Sequence, residues 1–219
     1  ASDAGLKRGD IISHINGTPI TTTNYNDLYQ ELFSTHNLSF SRFVEATATF
    51  EQQPEISLSV VELQENPNYL DTVYTINDHV IGYYVYNFFS NGLTENNEYD
   101  QQMDEIFASF KSHGITDLIV DLRYNGGGAI SSALNLASLI GEGVGPEDIF
   151  YENKWNDHYM DYIKSLEDGE DILKGKFLIK EENVGNALNE STVYILTGQN
   201  TASASELIIN GLTPFMNVV

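Results

Sequence analysis

The segment Leu118-Ile119-Val120-Asp121-Leu122-Arg123-Tyr124-Asn125-Gly126-Gly127-Gly128 decides how the chain is read. Residues 118–122 form a short apolar strand, as expected in a sheet covered on both faces. Three glycines follow, and then a helical pattern over residues 129–140. Glycines between a strand and a helix let the backbone turn sharply and present bare N–H groups at a helix N-terminus. Such groups stabilise negative charge, either a phosphate or the oxyanion of an acyl-transfer intermediate. Neither G-x-x-x-x-G-K-[ST] nor G-x-G-x-x-G follows, which weighs against phosphate. A plain flexible turn accounts for the glycines as well.

Working outward, residues 193–196 read as a second buried strand and 201–212 as a helix. Upstream, 80–89 is an aromatic strand, and 98–112 is an amphipathic helix with Met103, Ile106, Phe107 and Phe110 on one face. This alternation predicts an α/β core, a largely parallel sheet flanked by helices. Residues 141–190 hold 13 Asp/Glu and five Lys, and read as a solvated loop or small subdomain covering one end of the sheet. The polar stretch 64–68, with Pro67, is the expected domain boundary. Residues 1–63 therefore form a first, mixed domain and 64–219 a second. In the first, 11–15 is a strand ending at the turn Asn16-Gly17. Thr22, Thr23 or Asn24 caps a helix carrying Tyr25, Leu28, Tyr29, Leu32 and Phe33 at helical spacing. Strands are expected over 38–44, 46–50 and 56–63.

The composition narrows the function. The 219 residues carry 32 acidic and ten basic side chains, a formal net charge of −22. Nucleic acid and anionic membranes would be repelled at long range. With no cysteine, zinc–thiolate sites, iron–sulfur clusters and cysteine nucleophiles are excluded. No apolar run approaches the ~18 residues of a membrane span. The five histidines stand singly, so no metal site and no cofactor are expected. Glu167-Asp168-Gly169-Glu170-Asp171 lacks EF-hand spacing and reads as a turn. Trp155, Tyr159 and Tyr162 are expected to be partly buried under a loop.

A second constellation is Thr201-Ala202-Ser203-Ala204-Ser205-Glu206, again between a buried strand and a helix. Small neighbours leave a serine nucleophile uncrowded, and a helix start supplies an N–H beside it. Ser203-x-x-Glu206 is equally a capping box. Two such turns at strand ends of one α/β sheet are a more specific signal, because ligand sites gather there.

Together these motifs resemble the S41 family, the C-terminal processing (tail-specific) serine peptidases. The family's D-L-R-x-N-x-G-G stands at 121–128, with Gly126 where proline is usual, and its T/S-A-S-A-S-E stands unaltered at 201–206. Ala4-Gly5-Leu6-Lys7-Arg8-Gly9-Asp10-Ile11-Ile12 with Ile15-Asn16-Gly17 is similar to the latter part of a PDZ domain, which family members carry before the protease core. The resemblance implies a ClpP/crotonase-like protease core preceded by a partial PDZ-like domain. By position it implies Ser203 as nucleophile and the backbone N–H groups of Gly127 and Ala204 as oxyanion hole. Arg123 and Asn125 are expected to shape the glycine turn. Polypeptides are the implied substrates, unstructured or C-terminal regions among them, in the cell envelope or a secreted location. The family's general base is a lysine downstream of the serine, but the sixteen residues after Ser203 include neither lysine nor histidine. Lys154, Lys164, Lys174, Lys176 and Lys180 lie in the acidic stretch and are expected to be solvated. The sequence thus reads as cut at both ends, within the PDZ-like unit and before the base. A non-catalytic peptide-binding or scaffolding protein of the same fold is the rival reading, and an anion-binding domain a more distant one.

Overall fold

The computed structural model describes residues 3–61, 65–93 and 96–219. The chain divides into two compact units, Ala1–Gln64 and Glu65–Val219.

In the first unit, β1 (Ile11–Ile15) and β2 (Thr18–Pro19) form a hairpin around Asn16-Gly17. Both turn residues have positive φ, 49° and 75°, matching the primed turn whose twist suits paired strands. Helix α1 (Tyr25–Glu31) follows, then β3 (His36–Val44), β4 (Thr49–Gln52) and β5 (Ile56–Leu58). The strand expected over 46–50 begins later, because Ala48 at φ 53° closes a tight turn between β3 and β4. The strand expected over 56–63 pairs only through Leu58, and 62–63 lie outside the described residues. Of the expected apolar face of α1 only Leu28 is buried; Tyr25, Tyr29 and Phe33 stay exposed. With Ile12, Ile15 and Ile20 that face lines an open apolar cleft.

The second unit is built on a five-stranded sheet. Its strands are β6 (Asn68–Ile76), β7 (His79–Tyr86), β8 (Asp117–Asp121), β11 (Thr192–Leu196) and β12 (Asn217–Val218), in spatial order β12-β11-β8-β7-β6. Between β8 and β11 the chain forms β9 (Ile149–Glu152) and β10 (Lys174–Lys176), an antiparallel pair. All pairings in the large sheet are parallel except β6–β7, an antiparallel edge hairpin. Strand β6 has no counterpart in the sequence reading.

Three helices, α2 (Glu98–Ser112), α3 (Ile130–Ile140) and α6 (Ala204–Leu212), pack on one face of this sheet. Tyr84, Tyr86, Leu118, Val120 and Val193 meet Met103, Phe107, Leu136, Ala137, Ile208 and Leu212 there, all fully buried. Burying one such large apolar side chain contributes about 1.5–3 kcal/mol. The alternate strand residues point the other way, and Leu70, Tyr74, Ile76, Tyr194 and Leu196 remain exposed. The expectation of a sheet covered on both faces is therefore corrected: the helices cover one. The apolar run 118–122 misleads because Ile119 points away from the helices while Asp121 is buried by polar partners.

The acid-rich stretch becomes a small subdomain of β9, α4 (Asp157–Lys164), α5 (Gly169–Ile172) and β10. It is not wholly solvated, since Phe150, Phe177, Val184 and Leu188 join the main core. In the acidic run 167–171, Glu167 and Asp168 form a turn as expected, and Gly169 to Asp171 enter the short α5.

Candidate active site

The glycine turn leaves β8 through a polar strut. Asp121, 1 % exposed, accepts hydrogen bonds from the Arg123 guanidinium (2.6–3.0 Å) and the Tyr83 hydroxyl (2.6 Å). Burial would raise the Asp121 pKa, but these bonds outweigh it and hold the carboxyl below its ordinary value. Asn125, fully buried, then anchors the turn itself. Its amide donates to the Tyr86 carbonyl at 2.9 Å, and its side-chain oxygen accepts the Gly127 N–H at 2.9 Å. Further along, Phe89 pairs by main chain with both sides of Gly128: its N–H donates to Gly127 O, and its carbonyl accepts from Ala129 N–H. A Cβ on Gly128 would sit 2.1 Å from that Phe89 carbonyl oxygen, so glycine is required.

The serine turn enters α6 under strain. Ser203 has φ 57° and ψ −116°, a conformation that favours glycine and costs a serine on the order of 1–3 kcal/mol. Such a strand-to-helix turn thrusts its side chain outward, and Ser203 is exposed while Ala204 and Ser205 behind it are buried. The Glu206 carboxylate accepts the Ser203 N–H at 2.7 Å, in a capping-box arrangement.

The two turns meet. A Cβ built on Gly127 would lie 2.6 Å from Ser203 Cβ, 2.9 Å from Ala202 O and 3.0 Å from Ala204 N. Ser203, Gly127 and Ala204 thus share one place at the C-terminal ends of β8 and β11. The sequence reading expects the Gly127 N–H as an oxyanion donor; here that N–H donates to the Asn125 amide oxygen at 2.9 Å, and the missing side chain leaves room for Ser203. Among the described residues, the N–H groups of Ala204 and Gly128 donate no hydrogen bond, and neither do those of Ala202 and Gly126. Sequence spacing cannot separate Gly127 from Gly128, because the difference lies in which N–H the Asn125 amide oxygen captures.

The remaining candidates lie apart from this constellation. Among the described residues no lysine or histidine forms a hydrogen bond with Ser203, and no group of His, Asp or Glu could hold a metal ion. Lys180 is not solvated as expected: largely buried, it pairs with Asp104 at 2.6 Å. Trp155, Tyr159 and Tyr162 are partly buried, each about half exposed, with Trp155 edge-on to Tyr159 and Tyr159 stacked on Tyr162 in α4.

An exposed, strained serine thus lies against a glycine turn at the strand ends of an α/β sheet. The family model of Peptidase family S41 matches residues 80–213, and the chain belongs to that family. Among solved structures, a candidate S41 protease from Bacteroides fragilis NCTC 9343 is 26 % identical with a TM-score of 0.64. That match covers 100 % of this chain and 54 % of the other. A photosystem II D1 C-terminal processing protease aligns at 17 % identity and a TM-score of 0.43, over 97 % of this chain and 50 % of its own. The chain therefore spans about half the length of these structures. No curated protein matches it.

Proposed function

We propose that the protein is a serine endopeptidase of the C-terminal processing type, hydrolysing peptide bonds through an acyl-enzyme on Ser203. The observation that carries this is the strained, exposed Ser203 packed against Gly127, with the Ala204 N–H at the same place and free of an acceptor. Ser203 Oγ attacks the scissile carbonyl carbon as a base removes its proton. The carbonyl oxygen becomes an oxyanion held by Ala204 N–H and, in this reading, Gly128 N–H. Collapse expels the amine, which takes the proton, and water then releases the acyl group by the same route.

The base of this reading is a lysine outside residues 1–219. Its support is that the engaged lysines point elsewhere, Lys180 to Asp104 and Lys111 to the Glu181 carbonyl. Unstructured or C-terminal polypeptide regions are the proposed substrates. Ala1–Gln64, with its antiparallel sheet, α1 and apolar cleft, is read as a PDZ-like unit. A location in the cell envelope or outside the cell is part of the same proposal, which fractionation checks.

The test is cleavage of an unstructured polypeptide by this chain and by a form extended through the next lysine-bearing segment, each beside its Ser203→Ala variant. Ser203-dependent cleavage by the extended form, and at least ~10²-fold less by the short one, is expected. Cleavage that survives Ser203→Ala sinks the nucleophile assignment. Peptide binding without cleavage by a folded, extended form favours the scaffolding reading.

A further inference from the structure

The serine motif carries three hydroxyls, and the mechanism uses one. We infer that the outer two, Thr201 and Ser205, are positioning residues that fix which N–H groups of the glycine turn face Ser203. The inference rests on the peptidase reading above. Ser205 Oγ donates to the Asn125 carbonyl at 3.0 Å, and both residues are fully buried. Thr201 Oγ1 donates to the Leu122 carbonyl at 2.8 Å and accepts the Gly198 N–H at 2.8 Å. Two residues before Ser203 and two after it, the serine turn therefore grips the glycine turn at both ends.

These are not ordinary helix-start bonds. A serine in the first turn of a helix usually serves its own backbone, as a cap or by back-bonding within the turn. Ser205 and Thr201 instead bond carbonyls 80 and 79 residues away in sequence. The Ser205 bond bears on the residue that decides the oxyanion geometry. Asn125 holds the Gly127 N–H with one end of its amide and the Tyr86 carbonyl with the other. Fixing the Asn125 main chain keeps that amide in register, so Gly127 stays turned to Asn125 and the Gly128 N–H stays open. Without the Ser205 hydroxyl, the buried Asn125 carbonyl loses its donor, and the turn is free to rotate in search of another. Thr201 blocks the other escape by tying Leu122, where the turn leaves β8.

The experiment compares Ser205→Ala, Thr201→Val and Thr201→Ser with the parent in the full-length protein. Amide hydrogen exchange at Gly127 is expected to quicken roughly tenfold or more in Ser205→Ala and Thr201→Val, and to stay near the parent in Thr201→Ser. The kcat is expected to fall roughly 10- to 100-fold at nearly unchanged KM. Affinity for a peptide boronate, which imitates the tetrahedral intermediate, should drop by the same factor. Thermal unfolding separates this pattern from general loosening. Unchanged exchange at Gly127 overturns the inference, as does a KM defect with kcat preserved, or a Thr201→Ser variant as impaired as Thr201→Val. If the parent shows no Ser203-dependent cleavage, the peptidase reading fails, and the exchange result still decides whether these hydroxyls fix the turn.

Discussion

Replacing Gly127 by alanine, beside the same change at Gly126, tests whether the two turns are packed as described. The added Cβ at 127 would stand 2.6 Å from Ser203 Cβ. Carbon atoms prefer about 3.5–4.0 Å, so one turn must retreat by roughly 1 Å. Gly127 also has φ +105°, outside the usual range of an L-residue, which adds about 1–2 kcal/mol of strain. Overpacking of this kind costs a further ~1–3 kcal/mol, for a total of about 2–5 kcal/mol. For a domain of this size the melting temperature should fall by roughly 5–15 °C. Misplacing a nucleophile by ~1 Å costs about 10²-fold in rate. At Gly126 the nearest heavy atom to the new Cβ is Asn200 O at 3.8 Å, an ordinary contact, and the backbone needs no positive φ. Gly126→Ala should therefore stay within ~0.5 kcal/mol of the parent. Calorimetry of both variants, with the rate of Ser203 modification by a fluorophosphonate, reads both effects. If both variants melt and react like the parent, Gly127 is not pressed against the serine turn and the site geometry is wrong.

Other consequences are simpler to check. Phe107→Ala removes a fully buried ring packed edge-on to Tyr84 and Phe110, and should cost about 3–5 kcal/mol in denaturant unfolding. The Arg42 guanidinium bonds Asp10 at 2.7 and 2.8 Å and lowers its pKa from 3.8 to about 2. A lowered folded-state pKa gives stability that is complete above the unfolded value and lost as pH falls toward about 2. Acid titration of the fold should thus show a decline between pH ~4 and ~2 that Arg42→Met makes shallower, the Asp121 share remaining. Trp155, half exposed just before α4, should be quenched by a soluble quencher, and Trp155→Ala should shift stability by less than ~0.5 kcal/mol.

Much of the core was legible because its signals are local. Helix α2 spans 98–112 as its apolar spacing predicts, and the Asn-Gly turn forms where two residues of positive φ are needed. Strand β6 was not legible, since an edge strand buries little: of its residues only Asn68 is buried. Its turn residue, Asn77 at φ 54°, was the available signal. The pairing of Ser203 with the glycine turn followed from the motifs. The commitment of Gly127 to Asn125, and the reach of Thr201 and Ser205 across ~80 residues, are tertiary facts that spacing along the chain does not encode.

The uncovered face of the large sheet has a colloidal consequence. Leu70, Tyr74, Ile76, Tyr194 and Leu196 are exposed there, and stacking of two copies would bury apolar area on both. What opposes such contact at neutral pH is a formal charge of −22 on every molecule. That repulsion weakens as salt shortens the Debye length to about 3 Å at 1 M, and fades as carboxylates take up protons near pH 4. Light scattering should accordingly rise in high salt or mild acid before any helix melts, and an added aspartate at Tyr74 should delay it.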